Sequence, residues 1–316
     1  MKTTGSVLVL CLVSLVAVAQ SVAGQPRDRQ VAVTIDDLPA GSANLLSSDA
    51  IAAITWRLLS TLREQRVPVV GFVNEKSLFK FGDVDHRIAL LRMWLDWGFE
   101  LGNHTYSHSS LNHVGLRAWE DDVIKGETVT RLLLADHKMT LRYFRHPYMH
   151  TGRDLETRHM AEAFLAGRGY RIAPVTLDAW DWMFGRVYED LKKSGKTALQ
   201  QRIVTEYLTY SDLAFAHTEE LSRQTLGYEP KQILLLHVNE LEADHVGELL
   251  TVLRKRGYRF ISLSDALSDP AYSLPDAYIG EDGIGWVEHW AITMGKPVSA
   301  RPEAPVWVQR YYRTLP

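Results

Sequence analysis

Val31-Ala-Val-Thr-Ile35-Asp36-Asp37-Leu38 is an apolar, β-branched run that stops at two adjacent carboxylates. A run of this kind predicts a buried strand that delivers acid groups to its C-terminal end, where α/β folds place their chemistry. Side chains alternate along a strand, so the two carboxylates can take different jobs, one on a metal and one facing a reacting water. An Asx turn capping a helix accounts for the same residues equally well. The polar residues at the ends of the later strands decide between the two.

Beyond this strand, Ser47-Ser48-Asp49 caps an expected helix to residue 66, with Ile51, Ile54, Leu58, Leu59 and Leu62 at helical spacing. A strand over 67–73, a helix over 85–97 and a short strand over 99–102 come next, the last ending at Asn103-His104. A polar loop leads into a helix over 116–136. The strand over 141–144 ends at Arg145-His146-Pro147-Tyr148, and a helix spans 154–167. A strand over 171–176 ends at Asp178-Ala-Trp-Asp181-Trp182; residues 188–226 form one or two long helices; the strand 233–236 ends at His237. Helix 242–256 and strand 258–262 complete the alternation. Strands and helices that alternate with short links imply parallel strands and right-handed crossovers, so the strand C-termini open on one face. Asp36/Asp37, His104/His108, Arg145, Asp181 and His237 all fall at such ends, as in barrel enzymes.

Composition bounds the function. The chain has 316 residues, is 46% hydrophobic and carries a formal charge of −3, which supports a sizeable core and argues against nucleic acid or an anionic membrane as main partner. Lys2, the apolar run Val7–Val13 and small residues from Ala17 to Gly24 have the layout of a signal peptide, cleaved between Ala19 and Gln25. An uncleaved anchor is the alternative. Cleavage would leave a secreted or periplasmic protein with no membrane span. Because Cys11 is the one cysteine, the mature chain would have no thiol chemistry, and its metal sites must use His and carboxylate. Residues 1–24 are thus expected to be a signal peptide and 25–268 a (β/α) barrel. The Pro- and aromatic-rich stretch 269–316 is expected to pack on that barrel.

His104-Thr-Tyr-Ser-His108 sets two imidazoles four residues apart, a spacing that stacks them on one side of a helical turn. With a carboxylate from another strand end they make a His₂Asp set with open positions, typical of a hydrolytic Zn²⁺ or related divalent site. Such a site also needs a base, an oxyanion stabiliser and an acid. Asp36 is the candidate base, with Arg145 holding it ionised. A backbone N–H near Tyr148 is the candidate stabiliser, and His237 oriented by Asp181 the candidate acid.

Taken together, Thr34-Ile-Asp36-Asp37, His104-Thr-Tyr-Ser-His108, Arg145-His-Pro147-Tyr148, Asp178-Ala-Trp-Asp181-Trp182 and Leu235-Leu-His237 resemble, in order, the five motifs of the polysaccharide deacetylases, the NodB-homology group of carbohydrate esterase family 4. The resemblance covers roughly residues 30–265. It implies a distorted (β/α) barrel and metal-dependent removal of acetyl groups from an acetylated carbohydrate. By the same likeness Asp37, His104 and His108 would be the metal ligands and Asp36 the base oriented by Arg145. His237 would be the acid tuned by Asp181, and Tyr148 would lend its N–H. Trp182 and Leu235 would line the pocket for the acetyl methyl. Three positions depart from the family pattern: Leu38 and Met149 where Gly is usual, and Val238 where Asp often follows the last His. These leave the ligands and the acid intact and point to a reshaped cleft. A small-amide deformylase or amidase, or a silent glycan-binding barrel, are the alternatives. Asn103-His104-Thr105 also spells a glycosylation sequon, at odds with a metal site there.

Overall fold

The computed structural model describes residues 28–315, so the expected signal peptide and Cys11 lie outside the described residues. In chain order the elements are β1 (Arg29–Leu38), α1 (Ser48–Glu64), β2 (Val69–Val73), α2 (Val84–Asp96), β3 (Glu100–Asn103), α3 (Leu116–Lys125), α4 (Thr128–Asp136), β4 (Tyr143–Phe144), α5 (Leu155–Gly167), β5 (Arg171–Ile172) and β6 (Leu177–Asp178). Then come α6 (Asp181–Lys193), α7 (Thr197–Leu226), β7 (Gln232–His237), α8 (Glu240–Lys255), β8 (Tyr258–Phe260), α9 (Leu263–Ala266), α10 (Trp286–Thr293) and α11 (Val306–Tyr312).

The strands pair in the order β5-β4-β3-β2-β1-β7-β6, with β8 beside the start of β1, and every pairing is parallel. One stretch curls this sheet into a distorted barrel. The Ala173 N–H donates to Phe144 at 2.8 Å and the Thr176 N–H donates to Ile233 at 3.0 Å, so residues 171–178 bridge β4 to β7. The expected single strand over 171–176 is therefore two short strands, because one chain must serve two neighbours that diverge. Pro174, which has no N–H to give, sits at the bend.

Alternation along β1 explains why its sequence reads as continuously apolar. Val31, Val33 and Ile35 pack outward into the layer under the helices, while Ala32 meets Val70, Phe72 and Ile233 inside the barrel. Both faces are buried, the condition that produces unbroken apolar strands in parallel sheets. Helix α1 buries Ile51, Ile54, Leu58, Leu59 and Leu62, and its N-cap Ser47 accepts from the Ala50 N–H.

The helix expected over 116–136 is broken into α3 and α4 at Gly126. A Cβ there would lie 2.5 Å from the Tyr106 backbone nitrogen, so the break lets the helix pair press against the loop that carries His104 and His108. The stretch after β8 packs back on the barrel: the Trp286 N–H donates to Val175 at 2.8 Å, and Trp286, Val287 and Trp290 form a small core with Leu221 and Ala271.

Candidate active site

At the C-terminal face, β1 departs from regular pairing. Its register with β2 slips between Ile35 and Leu38, and Asp37 sits in the left-handed region at φ 66°. Simple alternation would send Asp37 to the helix side with Ile35. The irregularity instead turns it over the barrel mouth, so both carboxylates of the pair face one cavity.

The two imidazoles converge by another route than the helical turn expected from their spacing. Residues 104–108 form a loop, with Thr105 at φ 61° and His108 at φ 60°. Asp122 of α3 holds this loop, accepting from the Ser107 N–H at 2.9 Å, the Ser107 hydroxyl at 2.9 Å and the Ser109 hydroxyl at 2.8 Å. The rings of His104 and His108 end 4.8 Å apart. Left-handed non-glycine residues are uncommon and cost about 1–3 kcal/mol each. Asp37, His108, Tyr148, Met149 and Trp180, all lining one cavity, adopt that conformation, as does Thr105 in the loop between the two histidines.

Asp37 Oδ1 lies 3.6 Å from His104 Nε2 and 3.5 Å from His108 Nε2, and the three ligand atoms fall within 4.8 Å of one another. The protonation state of the donors suits a cation. His104 Nδ1 donates to the Arg145 carbonyl at 2.9 Å, which fixes the tautomer and leaves the Nε2 lone pair aimed at Asp37. Burial, and after it the nearness of His108, holds the His104 pKa well below the usual value. Burial also lowers His108 against the opposing pull of Asp37. Two neutral imidazoles and a carboxylate are a donor set that fits a divalent ion.

Asp36 is buried beside this set. Its Oδ2 is 3.4 Å from Arg145 Nη1 and 3.6 Å from His104 Nε2, while its Oδ1 has no hydrogen-bond partner among the described residues. Burial pushes its pKa up to about 6, held from going further by the Arg145 guanidinium. Arg145 is itself fully buried, donating to the Ala173 carbonyl at 2.7 Å and to the Thr34 hydroxyl at 2.8 Å. It belongs to the barrel interior, not to a surface ion pair.

His237 ends β7 directly opposite Asp36 in the strand register. Its Nδ1 donates to Asp181 Oδ1 at 2.9 Å and its backbone N–H to Asp181 Oδ2 at 2.8 Å, with Asn239 Nδ2 on the same oxygen at 3.0 Å. Burial disfavours a charged imidazole here, but the Asp181 carboxylate overrides it and pushes the pKa up to about 10.

A cavity of about 870 Å³ holds these groups, with Leu235, Trp182 and Tyr148 also on its walls. The Tyr148 ring packs 4.3 Å from the His108 ring, and Trp182 stands 40% exposed at the rim. Asn103 of the sequon is fully buried, its amide donating to Val123 at 3.0 Å and to the Tyr170 hydroxyl at 2.9 Å, so the fold leaves no room for a glycan. Reasoning from sequence missed Glu288, Arg301 and Tyr312, which line the same cavity from the C-terminal stretch. The aromatic richness of that stretch signals packing, yet nothing in its spacing singles out these positions.

Comparison with known proteins agrees with this architecture. Residues 23–163 match the family model described as polysaccharide deacetylase. A peptidoglycan-N-acetylglucosamine deacetylase of Bacillus cereus is 26% identical over 164 residues, 52% of this chain and 50% of the relative. This chain thus matches only half the length of that relative. Among solved structures, the chitin deacetylase of the fungal pathogen Colletotrichum lindemuthianum superposes with a TM-score of 0.52 at 21% identity, covering 80% of this chain and 93% of the other. A CE4 family pseudoenzyme from Bacillus anthracis superposes at 0.50 with 18% identity, over 78% and 67% of the two chains. These two likenesses speak for the fold. The family match over residues 23–163, taken with the five ordered motifs, makes the chain similar to the polysaccharide deacetylases of the NodB-homology group.

Proposed function

We propose that the chain is a secreted, metal-dependent hydrolase that removes acetyl groups from an N-acetylated sugar or polysaccharide. The observation that carries this reading is the convergence, in one cavity, of a cation-ready Asp37–His104–His108 set with two differently tuned groups, Asp36 and His237. Pairs of titratable groups whose surroundings push their pKa values apart mark acid and base roles. Asp36, titrating near 6 on its Arg145 support, is ionised at neutral pH and takes the proton from the attacking water. His237, still protonated well above neutrality, gives its proton to the departing amine as the carbon–nitrogen bond breaks. In this reading the backbone N–H of Tyr148, on the cavity wall, meets the charge that develops on the acyl oxygen, and Leu235 and Trp182 receive the methyl group. Asp37, His104 and His108 would hold the divalent ion, Zn²⁺ in our reading, which supplies Lewis acidity toward the acyl oxygen when bound. The products are acetate and a free amine.

The test is acetate release from N-acetylated glucosamine oligomers, measured with and without zinc. Release that depends on metal and disappears in His104→Ala supports the reading; full activity in that variant, or none with any divalent metal, refutes it. Formate or ammonia released in place of acetate would move the assignment to a deformylase or amidase. Export is read from residues 1–24 and is tested by the N-terminus of the protein recovered outside the cytoplasm. Among the described residues no helix is long and apolar enough to cross a membrane.

A further inference from the structure

The cavity has two walls of different origin. One comes from the strand ends and carries Asp36, Asp37, His104 and His108. The other comes from the stretch after β8, beyond every motif, and includes Asp282–Gly285, Glu288, Val298–Arg301 and Tyr312. Two contacts join the second wall to the barrel rim. Gly283 lies so close to the Tyr148 carbonyl that a Cβ would sit 1.7 Å from its oxygen, and the Tyr312 ring meets Trp182 edge-on at 5.4 Å. The loop before α10 is tied down further: Asn112 Nδ2 donates to the Gly280 carbonyl at 2.9 Å, and Trp286 N–H donates to Val175 at 2.8 Å. These contacts fix the second wall against the barrel rim.

The second wall also carries unspent polar groups. Arg301 faces Asp178 at 3.2 Å and stacks over the Trp180 ring at 4.8 Å, so its charge is already matched. Glu288 lines the same cavity as this pair. Its carboxyl feels Arg301 only at a distance, and among the described residues its hydrogen bond is with its own backbone, with one oxygen lying against Gly285. Burial raises its pKa, as expected of a carboxyl that faces a cavity and lacks a close cation. A carboxyl with free acceptor capacity, an open cavity before it and a fixed wall behind is suited to accept from a sugar hydroxyl or an amine.

We propose that this wall makes the site selective for terminal or free acylated amino sugars and short oligosaccharides, with Glu288 accepting a hydrogen bond from a donor on the reacting sugar. Glu288 is a specificity residue in this scheme, since the reacting atoms lie on the other wall. The choice of sugar rests on the deacetylase reading.

The experiment compares N-acetylated mono-, di- and hexasaccharides with the insoluble polymer, following acetate release and, independently, binding by calorimetry. The wild-type protein should show its highest kcat/KM on the short substrates. Glu288→Ala should raise KM and Kd about tenfold or more, as for loss of a charge-assisted hydrogen bond, with kcat within about threefold. Glu288→Gln, which keeps one acceptor, should fall between. Val298→Gly with Tyr312→Ala lowers the wall without removing its core, and should raise polymer turnover relative to the disaccharide about fivefold or more. Hydrolysis that favours internal units of polymer, or a Glu288→Ala protein with unchanged KM and Kd, overturns the inference and leaves the deacetylase reading standing. Glu288-dependent sugar binding without hydrolysis overturns the reaction and keeps the wall. Neither hydrolysis nor sugar binding overturns both.

Discussion

Replacing Asp181 with Asn removes one charge from a fully buried site and leaves a side chain of the same shape, able to accept from the His237 imidazole. The size of the effect is set by the geometry. Opposite unit charges 2.9 Å apart attract by about 6 kcal/mol at an effective dielectric of about 20, equivalent to about 4 pH units. His237 keeps 17% side-chain exposure, and solvent reduces this to about 2–3 units. Its pKa, held at about 10 against the cost of burial, should then fall to about 7–8. The sign is that of a raised basic group: the protonated form persists up to the folded pKa, so the alkaline limb of the rate profile must move down with it. Two assays read this. Imidazole titration by NMR on metal-free protein follows His237 directly, and acetate release from pH 5 to 10 follows its role. The variant should lose about tenfold or more in kcat/KM at pH 9 and much less at pH 6. An imidazole still titrating near 10, or an alkaline limb that stays in place, would refute the assignment of His237 as an acid tuned by Asp181.

Other perturbations separate structure from chemistry. Arg145→Met strips a buried carboxylate of its cation and should cost about 3–5 kcal/mol in urea denaturation. Glu242, buried against the Tyr207 hydroxyl, has its pKa pushed up to about 8 by burial and then by the Asp181 charge. The native state therefore holds an extra proton between the unfolded value and 8, and stability falls as pH rises through that window. Glu242→Gln should stabilise the metal-free protein by about 2–4 kcal/mol at pH 8, with no gain below about pH 4.5. Asp276 behaves oppositely. Burial would raise its pKa, but the His289 imidazole at 2.8 Å and the adjoining Arg158 guanidinium hold the carboxyl far below the usual range. Its contribution is full above the unfolded pKa and is lost only as pH falls through the depressed folded value, so Asp276→Asn should destabilise by about 1–3 kcal/mol at pH 7, still by most of that near pH 3, and by little only at more acidic pH.

The parts of this fold legible in the sequence are those where local pattern and tertiary role agree. Val31–Ile35 announces a strand because both its faces are buried, and the polar residues after β1, β3, β4 and β7 announce the functional face because parallel strands share a direction. What stayed hidden depends on contacts between distant segments. The turn of Asp37 into the cavity needs an irregular register with β2, and the meeting of His104 with His108 needs Asp122 from the next helix. The break at Gly126 reflects pressure from Tyr106, not a change in helical pattern. Glu288 and Arg301 are placed by a stretch with no period to read, and only the fold shows that they face Asp36.

Whether Asp37, His104 and His108 share one cation is decided by zinc-edge anomalous diffraction from crystals grown with stoichiometric Zn²⁺. One strong peak bonded to these three residues is expected, and its loss in His104→Ala. A peak at some other residue set, or none at this site in protein that releases acetate, would contradict the shared-cation site on which the proposed chemistry depends.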